Sequence, residues 1–196
     1  MPEREEKDDR AGVWPFGSSS GSAVEVRRRL KSVEKNDGGQ LFLSSCMLIN
    51  ELFPTSIFKL TNLVILDISF NNLDTLLEGI GEMTSLRELW ANDNPLATVP
   101  ANLCNLKELR VLDLRNSWLR NIPREYSRLM ELKLVDINLE NCPLKPTLSR
   151  AYADGCEGLF KYLKRKDDRR KYVFFVTNYC LQLTKWIMCV FVVFVS

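Results

Sequence analysis

Leu63-Val64-Ile65-Leu66-Asp67-Ile68-Ser69-Phe70-Asn71-Asn72-Leu73 decides the architecture. Its frame is L-x-x-L-x-L-x-x-N-x-L, in which apolar residues first alternate with variable ones, the period of a strand with one face turned inward. The Asn then leaves the strand, and once buried its amide can serve backbone groups of its own and adjacent units. The frame returns at Leu86-x-x-Leu89-x-Ala91-x-x-Asn94-x-Leu96 and at Leu109-x-x-Leu112-x-Leu114-x-x-Ser117-x-Leu119. Each unit has a second half that also repeats: Leu76, Ile80 and Met83, then Val99-Pro100, Leu103 and Leu106, then Ile122-Pro123, Tyr126 and Leu129. These residues predict a short turn or helical segment behind each strand.

Working outward, a degenerate unit precedes Leu63: Leu41-x-Leu43-x-x-Cys46-x-Leu48, with Phe53-Pro54, Ile57 and Leu60 as its back and two extra residues near Asn50. A fifth follows Leu119. Read from Leu132 it would put Glu140 at the Asn position, whereas the frame shifted by two, Leu134-x-x-Ile137-x-Leu139-x-x-Cys142-x-Leu144, fits better. Self-similarity of this length and pattern is the signature of leucine-rich repeats. The expected fold is therefore α/β: a leucine-rich-repeat solenoid, a short right-handed horseshoe with a parallel β-sheet on its concave face. A single unit cannot bury its apolar side, so neighbours must stack and both ends need covers. At the front, Val26, Leu30 and Val33 share one stripe of a helix over 23–35. At the rear, Leu148, Ala151, Leu159, Tyr162 and Leu163 predict a closing helix. The expected organisation is an arm over 1–22, a capped domain of about five repeats over 23–165, and a basic linker and hydrophobic tail over 166–196.

The units with Val99-Pro100 and Ile122-Pro123, and the closing stretch from Cys142-Pro143-Leu144 to Tyr162-Leu163, resemble intracellular leucine-rich-repeat proteins of the Ras-suppressor and Scribble-like group, over about residues 24 to 165. That resemblance implies a protein-binding scaffold, several such proteins acting in small-GTPase or polarity signalling. The chain departs from the group in being short and in lacking an added kinase, GTPase or PDZ-like domain, so no particular pathway carries over.

The strand positions marked x face outward on the concave side and are free to choose a ligand. One expected column is Phe42, Asp67, Trp90, Asp113 and Asp136; the next is Ser44, Ser69, Asn92, Arg115 and Asn138, with Met47, Phe70 and Trp118 close by. A face chosen only for solubility would avoid Trp and Phe, and Trp, Tyr and Arg are the usual anchors of interfaces. Phe70, Trp90, Asp113, Arg115 and Trp118 are the expected partner-binding centre. The bland alternative folds these aromatics flat against neighbouring strands with no ligand.

Composition excludes much else. The 196 residues contain no His, which removes the usual proton shuttle near pH 7, His metal ligation and every Ser-His or Cys-His pairing. Asp67, Asp113 and Asp136 lie on separate strands with Trp90 between them, so no paired-carboxylate or metal site follows. Glu78-Gly79-Ile80-Gly81 lacks the Lys and the strand-to-helix context of a phosphate loop. No enzyme, cofactor or metal is expected. A net charge of +2 gives no ground for a nucleic-acid partner. The six Cys are scattered singly and read as reduced thiols, with a disulfide framework the alternative. The expected protein is a cytoplasmic monomer that holds a protein partner in intracellular signalling; the alternatives are a tail-anchored membrane adaptor or a regulatory subunit of a phosphatase or small-GTPase pathway.

The ends differ in kind. Residues 1–22 combine a charge run with Gly17-Ser18-Ser19-Ser20-Gly21-Ser22, too polar to offset the entropy of ordering, around one apolar island, Trp14-Pro15-Phe16, read as a short docking motif or as nothing. From Tyr172 to Ser196 the sequence turns to Val, Phe, Ile, Leu and Trp, after Lys164-Arg165-Lys166 and Arg169-Arg170-Lys171. That stretch is long enough to cross a bilayer. About a dozen apolar residues at roughly −0.3 to −0.6 kcal/mol each oppose Lys185 at about +2.5 to +3.5 kcal/mol. Two readings stand: membrane tethering through 172–196 with the basic run cytosolic, or an unrelated extension. The basic run itself reads as a solvated helix end or as a lipid contact.

Overall fold

A computed structural model of the chain describes residues 20–36, 39–131 and 136–171. Five three-residue strands form one parallel sheet: β1 Gln40–Phe42, β2 Ile65–Asp67, β3 Glu88–Trp90, β4 Val111–Asp113 and β5 Asp136–Asn138. Their order in space is their order in sequence. The register sets Leu41, Leu66, Leu89, Leu112 and Ile137 side by side, all buried. Leu43, Ile68, Ala91, Leu114 and Leu139 form a second buried row.

Each chain returns to the next strand through a 3-10 turn rather than an α-helix, because few residues are available behind the sheet and the tighter helix makes its first bond sooner. These turns are Asn50–Leu52 and Thr55–Lys59, Glu78–Glu82, Ala101–Asn105, and Arg124–Tyr126 running into α2 Ser127–Glu131, α1 being the helix Ser20–Asn36. In the four main turns an N–H three residues on closes the turn: Ile57 to the Pro54 carbonyl, Ile80 to Leu77, Leu103 to Pro100 and Tyr126 to Pro123. Proline precedes three of them because its fixed φ suits a helix start, where its missing N–H costs nothing. Ile57, Ile80, Leu103 and Tyr126 point into the same dry interior as the strand leucines.

The Asn positions, Asn94 buried and Asn71 partly so, stitch adjacent repeats. Asn71 Oδ1 accepts from the N–H groups of Cys46 (3.0 Å) and Leu48 (2.9 Å), and its Nδ2 donates to the carbonyls of Leu43, Ile68 and Ser69. Asn94 repeats this one unit on, accepting from Leu73 and donating to Ile68, Ala91 and Asn92. Farther along, Ser117 and Cys142 make a thinner version, Ser117 Oγ lying 3.2 Å from Cys142 Sγ and that thiol 3.3 Å from the Leu114 carbonyl.

Cys142 in that position, with Ile137 opposite Leu112, confirms the frame shifted by two. The same insertion corrects the two outward columns. Asn138, not Asp136, stands beside Asp113; Asp136 stands beside Val111; and Glu140, whose carbonyl receives the Asn116 N–H, completes the row of Arg115.

Both covers are present. Val26 of α1 is buried against the first repeat, and Arg29 donates to the Phe42 carbonyl at 2.7 Å. At the rear, α3 Pro146–Ala153 and a further helix over 155–171, α4, bury Leu148, Leu159, Phe160 and Leu163, while Tyr152 Oη accepts the Leu139 N–H at 3.0 Å. α1 begins three residues before the expected boundary, and α4 runs six past it because Asp167 is turned inward and paired. The arm over 1–19 and the tail over 172–196 lie outside the described residues. Among the described residues, no helix is long and apolar enough to cross a membrane.

Candidate functional site

The outward face of the sheet is built on two local devices that the repeat frame does not spell out. The first ends each strand. Asp67 Oδ1 accepts the N–H of Ser69 (2.9 Å) and its hydroxyl (2.6 Å). Asp113 Oδ1 accepts the N–H of Arg115 (3.1 Å), and Asn138 Oδ1 that of Glu140 (3.0 Å). A side-chain oxygen bonding the backbone two residues ahead is a local turn former, which is why Asp and Asn occupy this column.

The second device lies just beyond. Ser45, Phe70, Asp93, Asn116 and Asn141 all have φ between 53° and 57°, the left-handed region, where short polar side chains are tolerated and bulky ones are outliers. The conformation lets the first four donate their N–H to the next unit's chain while the backbone turns away: Ser45 to Ser69, Phe70 to Asn92, Asp93 to Arg115 and Asn116 to Glu140. The polar members then link side by side. Asn92 Nδ2 and Asn116 Nδ2 donate to the two oxygens of Asp93 (2.7 and 2.8 Å), and Asn141 Nδ2 donates to Asn116 Oδ1 (2.7 Å).

Against this background the five expected site residues separate into three situations. Trp90 stands in the strand-ending column, where its neighbours are Asp67 and Asp113, and cannot make their bond; its indole N–H instead donates to Glu88 Oε2 (3.1 Å) and it is half-exposed. Phe70 stands in the left-handed row where the following repeats carry Asp93, Asn116 and Asn141, and is 58% exposed. The Phe70 N–H donates to the carbonyl of Asn92, two residues past Trp90, so both aromatics stand where β2 and β3 adjoin.

Asp113 and Arg115 are a structural pair. Asp113 is 3% exposed, and besides accepting the Arg115 N–H it lies 3.4 Å from Arg115 Nε. Burial pushes its carboxyl pKa up, opposed by the Arg115 N–H and guanidinium. Only the half-exposed guanidinium of Arg115 meets solvent, and the Asp113 carboxylate is turned to its own backbone and to that guanidinium rather than outward.

Trp118 lies elsewhere. Its N–H donates to the Leu96 carbonyl, beyond the strands, so it sits on the rim of the sheet, 67% exposed. There it borders an open groove of about 940 Å³ with Ile49, Leu52, Pro95 and Ala97 among its lining. Phe42, at the end of β1, is also exposed on the sheet face and belongs with Phe70 and Trp90, though the reading of the sequence left it outside the centre. The signal that finds it is the one that explains Trp90: a strand-ending position without Asp or Asn. Among the described residues no group of three or more Cys, Asp or Glu is placed to hold a metal ion.

Stacked parallel strands, 3-10 returns and Asn stitching define a leucine-rich-repeat solenoid, and comparison with known proteins agrees. Residues 62–83 match the Leucine Rich Repeat family model. No curated protein matches the chain significantly. Among solved structures, an internalin of Listeria monocytogenes aligns at TM-score 0.50 and 20% identity, over 70% of this chain and 40% of its own. A leucine-rich-repeat protein of Leptospira interrogans aligns at TM-score 0.47 and 22% identity, over 54% of this chain and 32% of its own. The leucine-rich-repeat ectodomain of a plant membrane receptor kinase from Arabidopsis thaliana aligns at TM-score 0.47 and 27% identity, over 53% of this chain and 13% of its own. The chain thus spans less than half the length of each of these structures, and the likeness is one of fold.

Proposed function

We propose that this chain is a protein-interaction module that seats a partner on the open, concave side of its sheet, with Phe70 and Trp90 as anchors and Phe42 beside them. One observation carries the reading. At Trp90 the strand-ending column gives up the backbone bond that Asp67, Asp113 and Asn138 make, and at Phe70 an exposed aromatic ring stands in the row where Asp93, Asn116 and Asn141 link side chain to side chain. A residue that breaks a local structural rule while showing an aromatic ring to solvent marks a surface kept for something else. Exposed aromatics, with their large area and few rotatable bonds, are the side chains that anchor interfaces. Arg115 supplies a charged rim, held in place by Asp113.

The repeat itself supplies the test. In a Phe70→Asn, Trp90→Asn double variant both positions take the side chain that later repeats use at the same place, Asn116 and Asn141 in the one row and Asn138 in the other, so the solenoid is expected to melt at an unchanged or higher temperature. A photoreactive residue at position 90 of the wild-type background identifies the partner by crosslinking, and the double variant is expected to lose that partner in a pull-down. Undiminished capture of the crosslinked partner by a folded double variant rules the reading out.

A further inference from the structure

The closing helix α4 has a face that the concave side does not use. Its inward side buries Leu159, Phe160, Leu163 and Asp167; among its exposed residues Lys161, Lys164 and Arg165 share one cleft with Glu157 and Asp168, whereas Lys166, Arg169 and Arg170 stand outside that cleft. Lys166 and Arg170, one turn apart, line an open cleft of about 560 Å³ opposite Asn121, Arg124, Glu125 and Lys145. The negative charge at this cleft, Glu125 and Asp167, is already matched. Glu125 lies 3.2 Å from Arg124, and Asp167 lies 3.4 Å from Arg124 and 2.7 Å from Lys171. Lys145 donates to the Asn121 side-chain oxygen (3.0 Å, with that amide oriented as its neighbours require), and Lys166 sits 4.5 Å above the Tyr162 ring. The cleft therefore holds four cations against one carboxylate.

The sequence immediately after α4 indicates what this face meets. Residues 172–196 carry a single charge, Lys185, among Val, Phe, Ile, Leu and Trp. A soluble anion would need the cleft alone. A cationic face that leads directly into an apolar sequence fits a surface that is anionic outside and hydrocarbon within. We propose that the exposed basic side of α4, with Lys145 across the cleft, is a contact surface for the anionic headgroups of a lipid bilayer. The proposal is independent of the concave-face reading, since it uses none of the same residues.

The experiment is flotation of the full chain with phosphatidylcholine vesicles and with vesicles in which part of the lipid is phosphatidylserine, at low and high salt. Stronger flotation with the anionic vesicles, weakening as salt rises, is expected. Each cation near such a surface is worth about fivefold in partitioning, so K166Q/R169Q/R170Q is expected to lower binding to anionic vesicles about a hundredfold. Its binding to neutral vesicles and its melting temperature are expected to hold. Should the triple variant fail to fold, the salt dependence of the wild-type chain decides alone. Equal flotation on both lipids overturns the proposal, as does a salt-insensitive preference. Binding of inorganic phosphate without any preference for anionic vesicles assigns the cleft to a soluble anion and also overturns it.

Discussion

The two halves of the sheet's outer face obey different rules. Toward the rear, around β4 and β5, Asp113 and Asn138 close the strand ends, and Asn116 and Asn141 continue a side-chain row that starts at Asp93. Toward the front, around β2 and β3, Phe70 keeps that row from extending forward and Trp90 interrupts the strand-ending column. The interior shows the opposite gradient. The full Asn stitching lies at the front, at Asn71 and Asn94, while the rear makes do with Ser117 and Cys142. The front is thus held by more hydrogen bonds inside and shows more aromatic surface outside, an arrangement suited to presenting apolar side chains from a rigid base.

The sharpest way to break that contrast is Asn94→Ala. It deletes an acceptor for the Leu73 N–H and donors for three carbonyls in the interior. With unsatisfied buried groups costing about 1–3 kcal/mol each, a loss of roughly 3–5 kcal/mol is expected by urea unfolding, enough to unfold a marginal domain. Ser117→Ala, one repeat on, is expected to cost only about 1 kcal/mol. Similar losses at the two positions would mean that the interior stitching is even along the array, and the asymmetry between front and rear would fail.

Next in size is binding. Single Phe70→Asn and Trp90→Asn variants are each expected to weaken partner affinity by about 2 kcal/mol or more, the range of interface anchors. Stability is expected to hold or rise by up to about 1 kcal/mol at Phe70, where a bulky residue occupies the left-handed region at φ 53°. Isothermal titration with the crosslinked partner and thermal melts of the same samples check both. A drop in stability parallel to the drop in affinity would make the aromatics part of the structure rather than of the interface.

The apolar frame was legible because burial repeats in register, and Leu66, Leu89 and Leu112 needed only their spacing to be placed. The shifted last unit was legible for the same reason. The outward columns were not, since a two-residue insertion that preserves the buried row displaces every exposed neighbour, and so Asn138 stands where Asp136 was expected and Glu140 where Asn138 was. Of the site, the aromatics stood out by residue type. The role of Asp113 did not, because an Asp on a strand looks the same in sequence whether its carboxylate faces a ligand or its own backbone two residues ahead. Trp118 was drawn toward the sheet by proximity in sequence, although the chain turns at Asn116 and carries it to the rim.

A smaller effect separates structural from binding carboxylates. Asp113→Asn keeps an oxygen for the Arg115 N–H, as Asn138 does naturally, and is expected to change stability by less than about 1 kcal/mol and to leave binding intact. Asp113→Ala removes the acceptor and is expected to cost about 1 kcal/mol or somewhat more. Urea midpoints distinguish the two, and an Asn variant as destabilised as the Ala variant would show that the charge, not the turn bond, is what the position needs.

The least of the expected effects is the one with a sign. Asp113 and Asp167 are both low in exposure, yet their environments move them in opposite directions. Burial raises Asp113, so its native carboxyl takes up a proton more readily than the unfolded one; it subtracts from stability above its native pKa and that cost is relieved as pH falls. The Lys171 ammonium lowers Asp167, with Arg124 assisting, so its contribution is complete above the unfolded value of about 3.9 and is lost as pH falls through the lower native value. Acidification below about pH 4 should therefore loosen α4 from the last repeats. The front of the sheet, which Asp167 does not touch, should lag. Hydrogen exchange at Leu163 and Leu66 followed across that range is expected to show protection falling first at Leu163, and an Asp167→Asn variant is expected to remove the difference. If both sites lose protection together in the wild type and the variant, α4 and the repeats unfold as one unit and the carboxylate has no separate role.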